Sequence, residues 1–103
     1  MDRIAMLSEI LAGNPEDAFA RYGLAMEYSK AGQIEQALQE FRTLIDKNPD
    51  YTAAYFMAAQ TLANASRVNE AKRWLADGIA SASRSGNAHA QSEMTAMLEE
   101  LAN

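Results

Sequence analysis

The sequence contains no cysteine, which excludes disulfides, thiolate metal sites and thiol nucleophiles together. It has one histidine, His89, and a lone imidazole without a thiol cannot assemble a zinc-type ligand set. His89 therefore reads as a solvated residue near the start of the last helix. Clustered positive charge is also missing. Nine Lys and Arg are interleaved with 14 Asp and Glu for a net charge of −5, and the densest basic pair is Lys72-Arg73. Phosphate backbones are neutralised by clustered cations, so no nucleic-acid partner is expected. Long apolar runs are absent: the longest uncharged stretch, 51–66, contains Gln60, Thr61 and Asn64, whereas a membrane-spanning helix needs about 20 mostly apolar residues. The opening MDRIAMLSEIL has acids inside its apolar stretch and no small-residue cleavage pattern, so it does not read as a signal peptide. The five glycines are scattered and form no phosphate loop. Ser81, Ser83 and Ser85 lie outside any G-x-S-x-G context. The expectation is a chain without catalytic activity, cofactor or membrane insertion, located in the cytoplasm.

Proline is scarce too, and its placement is informative. Pro15 and Pro49, both in the triplet Asn-Pro-acid, are the only two and stand 34 residues apart. Overlaying 15–48 on 49–82 matches the prolines, Ala20/Ala54, Ala25/Ala59, Ala31/Ala65, Ala37/Ala71 and Ile45/Ile79. Tyr22/Phe56, Tyr28/Leu62, Ile34/Val68 and Phe41/Leu75 keep their size class. A fixed period of this length marks a repeat architecture.

Each copy reads as two helices. In the first copy, Asn14 suits a helix cap, Pro15 the first helical position, and Glu16-Asp17 the positive helix end. Gly32 supplies a left-handed stop. Ile34, Ala37, Leu38, Phe41, Leu44 and Ile45 then follow helical spacing, and Val68, Ala71, Leu75, Gly78, Ile79 and Ala82 repeat that stripe. No segment alternates as a strand does, so the fold class is all-α. LSEILAGNP echoes FRTLIDKNP, which makes the first helix half of a repeat. Gly86 and Asn87 read as a stop and a cap before a final helix with Ala90, Met94, Met97, Leu98 and Leu101 on one face. The expected organisation is one domain, 1–103, with about six helices: a half-repeat helix over 2–13, repeats over 15–48 and 49–86, and a capping helix over 88–102.

The segment LAMEYSKAGQIEQALQEFRTLIDKNP resembles the tetratricopeptide repeat (TPR). Leu24, Ala25, Tyr28, Gly32, Ala37, Phe41 and Pro49 stand at its signature positions, with Leu44 where alanine is usual. The second copy departs further, with Ala58, Ala59, Leu62, Ser66, Ala71, Leu75 and Gly78 in those roles and Ser83 in place of proline. The resemblance implies an α-solenoid of antiparallel helix pairs acting as a scaffold for protein binding. It also implies a concave groove lined by the first helix of each repeat.

That helix is apolar on two sides. Leu24, Ala25 and Tyr28 suit its paired helix, while Phe19, Tyr22 and Met26 form a second stripe about 60° wide at roughly 100° per residue. By the resemblance, Phe19, Tyr22, Met26 and Lys30 with Phe56, Gln60 and Asn64 would hold a peptide segment or partner protein. Tyr22 and Met26 replace the lysine and asparagine with which some members clamp a carboxylate tail, which disfavours a chaperone-tail ligand. A second reading stays open at this point: the stripe is covered by a second copy of the chain, as a homodimer, or by the chain's own last helix. Trp74 is open in the same way, between core packing and a dimer contact.

Overall fold

Six helices make up the protein in a computed structural model that describes residues 2–103; Met1, the first residue of the expected domain, lies outside them. They are α1 (Arg3–Gly13), α2 (Ala18–Lys30), α3 (Ile34–Lys47), α4 (Thr52–Asn64), α5 (Val68–Arg84) and α6 (Ala88–Ala102), with no strand among the described residues. The all-α class and the helix number are as expected. The chain divides into two compact units, one ending at Asn48 and one running from Pro49 to Asn103.

The first unit is the α2–α3 hairpin with α1 laid against α2. Leu11, Ala20 and Leu24 form a core between α1 and α2, with Ile4, Leu7 and Tyr28 packed around it. Ala25, Ala37, Leu38, Phe41 and Leu44 are wholly enclosed. The second unit is the α4–α5 hairpin with α6 on α5. Ala58, Ala59, Leu62, Ala71, Leu75, Ala82 and Met94 are enclosed there. Small residues dominate where helices run close, as the repeat predicted. Gly78 is the extreme case: a Cβ added there would stand 2.6 Å from Tyr55 Cβ and 2.5 Å from Met94 Sδ.

Three helices end in the same way. After α2, the Gly32 N–H donates to the Ser29 carbonyl and the Gln33 N–H to the Tyr28 carbonyl. Ser66 and Arg67 do this after α4, to Ala63 and Leu62; Gly86 and Asn87 do it after α5, to Ser83 and Ala82. This pair of bonds satisfies the last helical carbonyls and needs one left-handed residue. Gly32 (φ 76°) and Gly86 (φ 71°) take that conformation without a Cβ penalty, whereas Ser66 (φ 63°) takes it against one.

The Asn-Pro phrases, expected at the helix starts, lie about one turn ahead of them. Asn14 closes α1, its N–H donating to the Ile10 carbonyl, and its side chain accepts from the Glu16 N–H at 3.3 Å. Pro15 occupies the turn rather than the first helical position. Asp17 is the cap of α2, its carboxylate accepting from the Ala20 N–H at 2.9 Å. Aspartate in this place wins because Asn14 is already engaged at the end of α1.

The two units reuse equivalent positions with different chemistry. In the first, Arg21 donates to the Pro15 carbonyl (3.1 Å) and pairs with Glu40 of α3 at 2.7 Å. Thirty-four residues on, Tyr55 donates to the Pro49 carbonyl (2.7 Å) and meets Trp74 of α5 edge-on, ring centres 6.2 Å apart. Burial raises the Tyr55 phenol above its ordinary 10.0, so the hydroxyl keeps its proton. Lys47 reaches Glu16 at 2.7 Å and holds that carboxyl below its ordinary 4.5, chiefly through their hydrogen bond. The equivalent Ser81 donates to the Pro49 carbonyl at 3.0 Å, with Asp50 Oδ1 at 3.3 Å. Helix α5 runs on to Arg84, which binds Asp50 at 2.8 Å. A half-buried ion pair has thus been exchanged for an aromatic pair, worth about 0.5–1.5 kcal/mol beyond its buried area.

Two stability outcomes follow. Ser66→Gly should stabilise: relief of about 1–2 kcal/mol of left-handed strain exceeds the roughly 0.4–1 kcal/mol of unfolded-chain entropy that glycine adds. A calorimetric Tm below that of the parent would refute the strain. Gly78→Ala should destabilise by about 1–3 kcal/mol through overpacking, despite the ~1 kcal/mol helical preference for alanine. Gly23→Ala, whose Cβ would meet Leu7 at an ordinary 3.5 Å, should show that preference undisturbed, and Tm shifts of the same sign for the two would contradict the close crossing.

Candidate functional site

The stripe residues of α2 are placed unequally. Phe19 is 79% exposed, while Tyr22 and Met26 are half-buried. Phe19 sits in the first turn of α2 with its ring in solvent. Tyr22, one turn later, meets the enclosed Phe41 of α3 edge-on, ring centres 6.4 Å apart. Its ring is therefore shared between the surface and the hairpin's own core. Lys30, exposed at the end of α2, lies 3.5 Å from Glu27, which also binds Arg3 at 3.2 Å. Its charge is part of that local cluster.

On α4, Phe56 and Gln60 are half-buried and Asn64 is exposed. Phe56 and Gln60 form one wall of a cleft of roughly 370 Å³, and Glu93, Ala96, Met97 and Glu100 of α6 form the other. Helix α6 is held by its cap, Asn87, whose side chain accepts from the Ala90 N–H at 3.1 Å, and by enclosed Met94. Phe56 and Met97 supply an apolar floor, and the Gln60 amide and two carboxylates supply polar edges. Glu93 has an additional neighbour in His89, 3.1 Å from its carboxylate, on an exposed side chain that is charged only when protonated.

The α6 wall was missed in reading the sequence, where this helix served only as a cover. Its signal was present: Glu93, Ala96, Met97 and Glu100 follow i, i+3, i+4, i+7 and so share a face. Trp74 packs against Tyr55 within its own unit. Among the described residues no three His, Asp or Glu side chains are grouped to hold a metal ion, and no helix is long and apolar enough to cross a membrane.

Comparison with known proteins gives a consistent result. The tetratricopeptide repeat family profile matches residues 4–50 and again 28–92. A TPR repeat-containing protein of Pseudomonas aeruginosa is 28% identical over 95 residues, 92% of this chain and 90% of its own length. The solution structure of a tetratricopeptide repeat domain protein from Salinibacter ruber superposes with a TM-score of 0.78 at 31% identity, covering 85% of this chain and 89% of that one. PcrH, in a crystal structure with the chaperone binding region of PopD, superposes with a TM-score of 0.86 at 20% identity, over 96% of this chain and 75% of PcrH. The last likeness is one of fold.

The unequal burial on α2 gives a direct check. Phe19→Ala should leave stability within about 0.5 kcal/mol, as for a surface change. Tyr22→Ala should cost about 2 kcal/mol, below the roughly 3–5 kcal/mol of a fully buried aromatic. Denaturant midpoints of the two variants measure this, and equal losses would contradict the placement of Tyr22 against Phe41.

Proposed function

The chain belongs to the tetratricopeptide repeat family, and on that premise we propose that it is a non-catalytic module that binds a peptide segment or partner protein through the apolar stripes of α2 and α4. The family fold supports protein interaction in general; the assignment of the stripes rests on one observation. Phe19 is an aromatic ring left 79% exposed on a helix whose other face already packs against both α1 and α3. A large apolar side chain without a packing role in its own unit is what a partner covers. On α4 the stripe's ring is Phe56, which the repeat aligns with Tyr22 and which lines an open cleft. Aromatic anchors of this kind are enriched among the few interface residues that carry most binding energy, often about 2 kcal/mol or more each. Tyr22 and Met26 extend the α2 stripe, with Lys30 as its polar group, and Gln60 and Asn64 are the polar groups of the α4 stripe. PcrH, which shares the fold, is seen bound to a region of another protein, and that arrangement supports the same use of this chain.

The test is photo-crosslinking in the native host with a benzophenone amino acid at position 19 or 56. Both positions should give discrete adducts with another protein, and a control at exposed Asp46 on α3 should give none. Absence of adducts at both stripe positions, or equal capture at position 46, would overturn the assignment.

A further inference from the structure

The cleft between α4 and α6 has a chemical bias that the binding role alone does not require. Helix α6 contains Glu93, Glu99 and Glu100 and no lysine or arginine. Two of these carboxylates, Glu93 and Glu100, line the cleft, with Ala96 and Met97 between them on the helix and Phe56 on the facing wall. They are seven residues apart, so they stand about 10 Å apart along the helix at 1.5 Å per residue. Glu100 has no ion-pair partner among the described residues, and Glu93 has only His89, whose charge requires protonation. The Gln60 side-chain amide, on the facing wall, has no hydrogen-bonding partner among the described residues either.

We infer that this cleft receives an extended, basic segment of a partner protein, with one large apolar side chain seated on Phe56 and Met97 and a lysine or arginine on each side. The inference rests on the interaction-module reading above and specifies its ligand. Charge complementarity gives the sign: two carboxylates flanking an apolar floor repel acidic segments and attract cationic ones, and such matching sets specificity more than raw affinity. The Gln60 amide gives the conformation. It presents an NH2 donor group beside a carbonyl acceptor, which pair with a backbone C=O and N–H that an extended chain leaves open and a helix has already used. The spacing follows from both. An extended chain in the polyproline II conformation advances about 3.1 Å per residue with about three residues per turn and leaves its backbone groups open. Cationic side chains at i and i+3 therefore share a face and match carboxylates about 10 Å apart. Met97 adds an unbranched, polarizable side chain that adapts to different apolar residues at the seat.

The probe is the blocked hexapeptide acetyl-Ala-Arg-Leu-Ala-Arg-Ala-amide, titrated into the isotopically labelled whole chain and followed by NMR. Saturable shifts should centre on Phe56, Gln60, Ala96 and Met97, and weaken at least tenfold when both arginines of the peptide are replaced by glutamate. Glu93→Gln combined with Glu100→Gln, both exposed on α6 and outside the core, should cause a similar loss and flatten the salt dependence. The circular dichroism melt of that variant verifies that it is folded. Equal binding of the acidic peptide, unchanged binding to the double variant, or no response to the basic peptide would each overturn the inference. The interaction-module reading is decided separately: crosslinking from position 56 with a failed basic peptide removes only the ligand chemistry, whereas loss of crosslinking at both stripe positions removes the stripe assignment as well.

Discussion

The molecule depends on close contact between the helices of each hairpin, and that contact depends on side chains too small to hold them apart. Ala25, Ala37, Ala59 and Ala71 are wholly enclosed, and at Gly78 even a methyl group would collide with Tyr55. Packing at this density leaves little freedom to slide. It fixes which residues of each first helix point into the hairpin and which remain over. The leftover residues include Phe19 and Phe56, so the candidate binding surface is a by-product of the crossing geometry.

The Asn-Pro phrases support that geometry from outside the core. Each proline carbonyl is left without a helical partner, and in both units a side chain about one turn into the next helix supplies the bond, Arg21 to Pro15 and Tyr55 to Pro49. The same side chains then contact the second helix of the hairpin, by an ion pair in one case and a ring contact in the other. Breaking a half-buried ion pair leaves an uncompensated charge, whereas the aromatic pair carries no such penalty. The two units thus meet one structural demand with different sensitivities to mutation. The longer α5, with Arg84 reaching back to Asp50, ties the second hairpin at the point where the repeat pattern would place its next proline.

Much of this was legible beforehand, and what was not has a consistent cause. The period, the alanine crossings, Gly32 and Gly86 could be read because each depends on residue type at a fixed spacing. Ser66 in a left-handed turn was harder to see, since serine carries no positive-φ signal of its own and only alignment with Gly32 points to it. The Arg21–Glu40 and Tyr55–Trp74 contacts could not be read at all, because their members lie 19 residues apart on different helices, and an ion pair in one unit gives no sign of an aromatic pair in the other. The start of α2 is expected about one turn early because Asn14 and Asp17 are both good caps, and which of them caps α2 depends on Asn14 being engaged by α1.

By itself the sequence determined the repeat, the all-α class, the family and the composition of each helix face. Those properties follow from angles about a helix's own axis, which residue spacing sets directly. Tertiary structure decided the distances from each face to its neighbours. It made Tyr22 a partner of Phe41 while leaving Phe19 in solvent, and it brought Glu93, Met97 and Glu100 opposite Phe56 and Gln60. Periodicity shows that residues share a stripe, but only the packing of one helix on another shows what lies opposite it.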